Sequence, residues 1–498
     1  MNAERKTLTP ARILGWLGLY FLLHALARVW LSPTLQTDEA EQLIMTQEWR
    51  WGYGSQGPLY TWLQAAVFAL LGNSVAALAL LKNTLLLATY SFMLLTARRV
   101  LRRDDHAALA AATLLFIPHL AWESQRDQTH LVLATTLAAG TLYLWVRLAQ
   151  HRRTGDYLLL GGVAALGILA KYNFILALLG WSLAALVEPK NRAVLLDRRI
   201  LLSLVTVLVV LAPNLAWAVN HPELLLSQSH KFELTSSDGT QPRWIFGLRD
   251  LLMALVEYSP VPLLYGVCLW RAPRTREPDV ANAGLARWLG CSMLLALGAC
   301  AVIIMLFGAG NLRSRWLQPV LLPLPLYMAY LGRERLTPAR MRWLLGMVAV
   351  VAVTVFTLIN GTVLGAHWLR RGHHLNVRFD VLAAALRQQG FEGGVILSDD
   401  RFTAGNLRKL FPHSVALVPT LDFFARPTHA ATLVAWNATK SSQASSELTN
   451  FVARFLGAWP TNAPRLLEAV GRHGDPRLYR LGFILLPALE TPQQSPRH

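Results

Sequence analysis

Only three cysteines occur in 498 residues. Cys268, Cys291 and Cys300 all fall in or beside apolar runs, so neither a disulfide framework nor a thiolate metal site organises the chain. Charge is scarce as well: 15% of residues are Asp, Glu, Lys or Arg, against 54% hydrophobic. One soluble core of ordinary size cannot bury that much apolar surface, which excludes a simple soluble enzyme and leaves an integral membrane protein. Carboxylates are the rarest charges, 29 Asp and Glu against 47 Lys and Arg, so each acid placed where lipid meets water carries information.

What is present is a series of apolar runs long enough to cross a hydrocarbon core of about 30 Å. The clearest are 13–30, 75–97, 131–148, 201–219, 251–269, 288–307, 316–331 and 343–364, with shorter ones at 106–121, 157–170 and 174–187. The pattern predicts an α-helical multispanning membrane protein with about eleven transmembrane helices.

The net charge of +18 raises the question of a nucleic-acid partner, and its placement answers it. Basic residues gather in alternate loops: Arg98, Arg99, Arg102 and Arg103; Arg147, Arg152 and Arg153; Lys190, Arg192, Arg198 and Arg199; Arg271, Arg274 and Arg276; Arg333, Arg335, Arg340 and Arg342. That is the positive-inside bias, and it puts these loops in the cytoplasm without any polyanionic ligand. Arg5 and Lys6 place the N-terminus there too, and an odd number of spans places the C-terminus outside. The first run lacks a small-residue cleavage site, so it reads as a retained span. This sidedness suits a bacterial inner membrane with a periplasmic active face; an endoplasmic-reticulum protein would share it.

On this topology the loop 31–76 is external. Residues 39–51 and 58–71 read as interfacial or re-entrant helices around the break Gly52-Tyr53-Gly54-Ser55-Gln56-Gly57-Pro58. A second external loop, 220–249, is long and polar and carries His230-Lys231-Phe232-Glu233 and Ser236-Ser237-Asp238-Gly239. After residue 364 the composition turns soluble. Helices at 381–389, 403–410 and 448–455 alternate with strands at 394–399, 415–418 and 433–437, predicting a small C-terminal external α/β domain. The expected division is 1–366 transmembrane and 367–498 external.

Four polar sets map to the external face: Asp38 and Glu39, with Glu41 and Glu48 further on; Glu123, Arg126, Asp127 and His130; Lys171, Tyr172 and Asn173; and Asn311, Arg313 and Arg315. Arg grips a phosphate with a planar fork, Lys holds it as a point charge, and a carboxylate takes a proton from an incoming hydroxyl. Glycosyl transfer from a lipid phosphate needs both functions. Each set also has a plainer use: Thr37 or Asp38 can cap a helix, Arg126 and Asp127 can form a surface pair, Lys171 can snorkel, and Arg313 and Arg315 beside Trp316 can anchor an interface.

The run Asp38-Glu39-Ala40-Glu41-Gln42 after the first span comes first in a series of short motifs. It is followed by Gly57-Pro58-Leu59-Tyr60, Arg126-Asp127-Gln128-Thr129-His130, Leu169-Ala170-Lys171-Tyr172-Asn173-Phe174, and the stretch from Asn311 through Arg315 to Leu324. In order and sidedness these motifs resemble the protein-mannosyltransferase-like branch of the C-fold glycosyltransferases. That branch includes dolichyl-phosphate-mannose protein mannosyltransferases and lipid A aminoarabinose transferases, and the resemblance covers roughly the first 330 residues. It implies a polyprenyl-phosphate-sugar donor, an external active site and inversion without a covalent intermediate. By motif position it implies Asp38 as base, Glu39 as its neighbour and Asp127 as the second acid. It implies Lys171, Arg313 and Arg315 as candidates for the lipid-phosphate site, with Arg126, His130 and Tyr172 as candidates for support. The sequence departs from the family at Gln56-Gly57-Pro58-Leu59, where a His-x-Pro-Pro-like run is common.

The expected partners are that donor, an external lipid, glycan or protein acceptor and membrane lipids, with no nucleic acid. A divalent metal is left open: Asp38, Glu39, Asp127 and His130 are suitable ligands, but no spacing matches a dedicated site. The rival readings are a transporter or flippase of a lipid-linked sugar and a non-catalytic member that binds one. Transporters place ionisable groups near the midplane in related halves, and here they cluster at one face.

Overall fold

The computed structural model describes residues 8–226, 243–274, 281–307, 313–425, 430–439 and 441–488. The expected features at 230–239, Arg276 and Asn311 lie outside them. The chain divides into two compact units: Met1–His24, Gly54–Tyr60 and Lys82–Phe356 form the first, and Ala25–Tyr53, Thr61–Leu81 and Thr357–His498 the second.

Six described helices are each long and apolar enough to cross a bilayer: Pro10–Leu31, Val75–Leu101, His130–His151, Ile200–Asn220, Ala283–Phe307 and Pro338–Leu364. Two further expected spans are bent pairs. Asp104–Phe116 and His119–Asp127 meet at 75°, and the pieces on either side of Tyr258-Ser259 meet at 46°, giving eight when each pair counts once. Proline explains both breaks. Pro118 pushes Ile117 into an extended conformation (φ −84°, ψ 110°) and opens a π-helical turn, His119–Glu123, while Pro260 starts a new helix. The remaining three expected spans are shorter or divided: Thr154–Ala170 and Phe174–Val187 are helices of 17 and 14 residues, and 316–331 is cut by Pro319 and Pro323.

In the first unit, His130–His151 is the central helix. Buried residues make up 83% of its apolar window, against at most 50% for the other five long helices. Its Trp145 stacks on Trp288 at 5.5 Å and donates Nε1–H to Asn191 (3.0 Å), and Trp288 donates in turn to the Trp181 carbonyl (3.0 Å). Buried indole N–H groups are thereby satisfied without water. Gly180 lets Phe174–Val187 approach Ala283–Phe307 so closely that a Cβ would overlap Ser292 and Ala296, the small-residue packing that lipid-embedded helices use.

The second unit is built on a mixed five-stranded sheet, ordered β2-β1-β3-β5-β4: β1 Val395–Ser398, β2 Val415–Leu417, β3 Thr432–Asn437, β4 Arg465–Val470 and β5 Leu478–Leu486. β1 pairs in parallel with β2 and β3; β5 runs antiparallel to both β3 and β4. Helices Phe379–Gln388, Arg401–Leu410 and Ser446–Leu456 accompany it, the last two capped by Asp400 and Ser445 side chains that accept from Thr403 N–H and Leu448 N–H.

The sequence reading ends the domain's elements at residue 455 and omits β4 and β5. β4 exposes most of its residues and lacks a clean alternation of apolar and polar positions. The expected interfacial helix 39–51 is instead Thr37–Met45, with Glu39 through Met45 all buried. Ile44, Met45 and Tyr53 join Phe379, Phe402, Leu407 and Trp436 in the α/β core, so this segment's apolar side is spent on protein.

Candidate active site

Arg28, near the end of the first long helix, organises the loop that carries Asp38. Its Nε and Nη2 donate to the two Glu39 oxygens (3.2 and 2.5 Å), Nη1 to the Ser32 carbonyl (2.8 Å) and Nη2 to the Thr34 carbonyl (2.7 Å). Glu39 also accepts the Gln36 backbone N–H at 3.0 Å, a capping-box contact at the start of Thr37–Met45. The Glu39 carboxylate is 1% exposed and bonded from three directions. Asp38, one residue earlier in the first helical turn, is only half-buried.

Residues from the far end of the chain hold the same loop. Asn406 accepts Leu35 N–H at 2.8 Å and donates to Leu35 C=O at 3.2 Å; Arg401 pairs with buried Glu41; Lys409 donates to the Pro33 carbonyl. Burial, with the Arg28 charge behind it, pushes the Lys409 ammonium down to about 8, and Glu39 opposes that shift.

In the first unit, the π-helical turn after Pro118 points His119 at Glu257, with Nε2 and Oε2 3.0 Å apart. Ser124 steadies the turn by donating to the His119 carbonyl (2.7 Å), and Tyr258 OH donates to the Ser314 carbonyl (3.1 Å), fixing the turn that bears Arg313 and Arg315. His119, Glu257, Arg313, Ser314 and Arg315 line a cavity of about 400 Å³ with Glu123 and Asp250. Arg315 Nε is buried with no hydrogen-bond partner among the described residues. A guanidinium donor held out of water without an acceptor is suited to receive an anionic oxygen.

The structure therefore brings two expected residues, Arg313 and Arg315, to one cavity with Glu123. Arg126 stands beside it, bonded to Glu123 at 2.9 Å. Asp127, Lys171, Tyr172 and His130 are not among its lining residues. His130 packs against Tyr60 at 5.4 Å, Tyr172 OH accepts from Asn214 at 3.3 Å, and Lys171 ends its helix through a backbone bond to Gly167. Gly57 lies so close to the Leu169 carbonyl, two residues before Lys171, that no Cβ fits there.

The sequence reading missed Arg28, His119, Asp250 and Glu257. Arg28 left a signal, a cation at the end of the first span opposite to the charge bias, and His119 left another, a histidine after proline inside an apolar run. Glu257 left one as well, an acid inside the run 251–269, and Asp250, just before that run, left none. Among the described residues no three His, Cys, Asp or Glu side chains converge as a metal-holding group.

A family model described as dolichyl-phosphate-mannose-protein mannosyltransferase matches residues 55–217. Two proteins of Rhizobium johnstonii are similar over most of the chain. Lipopolysaccharide core galacturonosyltransferase RgtB is 32% identical over 80% of this chain and 81% of its own; lipopolysaccharide core galacturonosyltransferase RgtA is 29% identical over 89% and 90%. The fold is that of ArnT from Cupriavidus metallidurans, solved in the apo state (TM-score 0.59, 15% identity) and bound to undecaprenyl phosphate (TM-score 0.58, 16% identity). Each match covers 94% of this chain and 98% of that one. The chain belongs to the protein-mannosyltransferase-like family of C-fold glycosyltransferases. It is a multi-pass membrane glycosyltransferase.

Proposed function

We propose that this enzyme moves galacturonic acid from a polyprenyl-phosphate donor to a hydroxyl of the lipopolysaccharide core, at the external face of a bacterial inner membrane. The observation that carries the reading is the cavity in which Arg313 and Arg315 stand with Glu123, Asp250, Glu257 and His119, one arginine donor without an acceptor among the described residues. Similarity to two core galacturonosyltransferases over four fifths or more of the chain supports the sugar and the acceptor. The lipid phosphate is in keeping with a fold shared with a protein solved with undecaprenyl phosphate.

In this reading the acceptor hydroxyl attacks the anomeric carbon and its proton passes to the Asp38 carboxylate. The bond from that carbon to the phosphate oxygen breaks, with inversion. Polyprenyl phosphate leaves with the electron pair, its growing charge met by Arg313, Arg315 and Lys171. Asp127 serves as the second acid, orienting sugar hydroxyls, with Arg126, His130 and Tyr172 in support. Glu39, spent on Arg28 and the Gln36 N–H, anchors the loop and leaves the proton to Asp38. The eleven-span topology, cytoplasmic N-terminus, membrane region 1–366 and periplasmic α/β domain 367–498 belong to the same proposal.

The test is transfer of radiolabelled galacturonate from polyprenyl phosphate to core lipopolysaccharide by purified wild type, Asp38→Asn and Arg315→Gln. Asp38→Asn should lose at least about a hundredfold in kcat while still binding donor, and Arg315→Gln should raise the donor KM about tenfold. Wild-type activity in Asp38→Asn removes that residue from the mechanism. Transfer of another sugar in preference removes the galacturonate assignment.

A further inference from the structure

The helix Arg401–Leu410 grips the first external loop on both sides of Asp38. Before it, the Asn406 amide reads both backbone polar groups of one residue, Leu35 N–H and Leu35 C=O, from 371 positions further along the chain. After it, Arg401 forms an ion pair with Glu41, which is 2% exposed. Between these holds, Gly405 lies on Ala40 at a distance that leaves no room for a Cβ, so the two helices meet backbone to backbone. Asn406 is 2% exposed, which makes its bonds costly to break and hard for water to replace. A second grip lies beyond, where Gln47 brackets Ala416 by accepting from its N–H (2.7 Å) and donating to its C=O (2.9 Å).

We propose that the C-terminal α/β domain works as the positioning scaffold of the catalytic carboxylate, with Asn406 and Arg401 as positioning residues that set where Asp38 stands. This rests on the reading of Asp38 as the base. A loop bonded only to itself would let the carboxylate wander by an ångström or more, and a misplacement of that size is enough to cost about a hundredfold in rate. Bonds to Leu35 and Glu41, three residues to either side, remove that freedom. A domain serving only to recognise acceptor would have no need to bury its polar side chains against the loop backbone.

The experiment compares full-length wild type, Asn406→Ala, Asn406→Asp, Arg401→Gln and Asp38→Asn in nanodiscs. It measures transfer kinetics, melting temperature and hydrogen exchange of the 31–48 peptides. Asn406→Ala should lower kcat about 10- to 100-fold with donor KM little changed and melting temperature only modestly lowered, and should speed exchange at 33–40 while leaving 44–48 protected. Asn406→Asp carries its own signature. Protonated, it can both accept from Leu35 N–H and donate to Leu35 C=O; ionised, it repels that carbonyl. Its kcat relative to wild type should therefore recover as pH falls. Wild-type kcat in Asn406→Ala, unchanged exchange at 33–40, or a kcat loss that merely follows melting temperature would overturn the proposal. Full activity in Asp38→Asn would overturn the base assignment, and with it the catalytic meaning of the scaffold. The exchange data decide the mechanical part separately, whatever the donor proves to be.

Discussion

Replacing Arg28 by Met should loosen the loop after the first long helix far more than the loss of one surface ion pair would. The guanidinium is 12% exposed and the Glu39 carboxylate 1%, so the range of about 0–1 kcal/mol for solvent-exposed pairs does not apply. Leaving the buried carboxylate without its cation costs about 3–5 kcal/mol. The Ser32 and Thr34 carbonyls lose donors as well, at about 1 kcal/mol each before water reaches them. Relaxation returns part of this, and a net local cost of about 4 kcal/mol corresponds to about a thousandfold loss of amide protection across 32–40. Adding Glu39→Gln to Arg28→Met removes the stranded charge and should restore about 2 kcal/mol, a coupling that only a buried pair gives. Hydrogen exchange with mass spectrometry on the full-length protein measures both variants. A loss of protection under tenfold in Arg28→Met, or a double variant no better than the single one, would refute the reasoning.

Two further outcomes are expected. Burial, with the like charge of Asp400 behind it, pushes the Asp399 carboxyl up to about 6 from an ordinary 3.8. The folded domain therefore holds that proton more tightly than the unfolded chain. The resulting stabilisation is present below about 3.8 and lost as pH rises through about 6. Asp399→Asn should flatten this pH dependence in melting curves taken between pH 4 and 8, and an unchanged slope would count against it. For the topology, Ser441→Cys and Arg335→Cys, both at exposed positions, in a background with the three native cysteines replaced by Ser, should label oppositely in whole cells. A maleimide that crosses the outer but not the inner membrane should reach Ser441→Cys at once and Arg335→Cys only after permeabilisation; the reverse pattern would invert the assigned sidedness.

Much of this was legible in residue order. Apolar runs placed all six long helices, because a bilayer demands about twenty consecutive apolar residues and little else looks like that. The strands β1, β2 and β3 came through as short apolar runs between helical patterns. Pro118 and Pro260 stood in plain view inside expected spans, but proline alone does not tell a kink from a break, and packing decided in favour of breaks of 75° and 46°. Arg313 and Arg315 were singled out by their place in the motif stretch from Asn311 to Leu324. Their cavity partners were not: Asp250, just before the run 251–269, resembles any other membrane-edge acid, and Glu257 inside that run was passed over.

Composition and hydropathy alone determined that the chain crosses a membrane many times and that Asp38-Glu39 opens the loop after its first span. These are local properties, set by how each stretch of chain partitions between water and lipid. The different fates of two adjacent carboxylates, Glu39 locked to Arg28 and Asp38 left half-exposed, were decided only by tertiary structure. So was the dependence of that loop on Asn406 and Arg401. Partners 11 and more than 350 residues apart leave no periodicity in a sequence; only the closing of the chain on itself chooses which buried charge meets which.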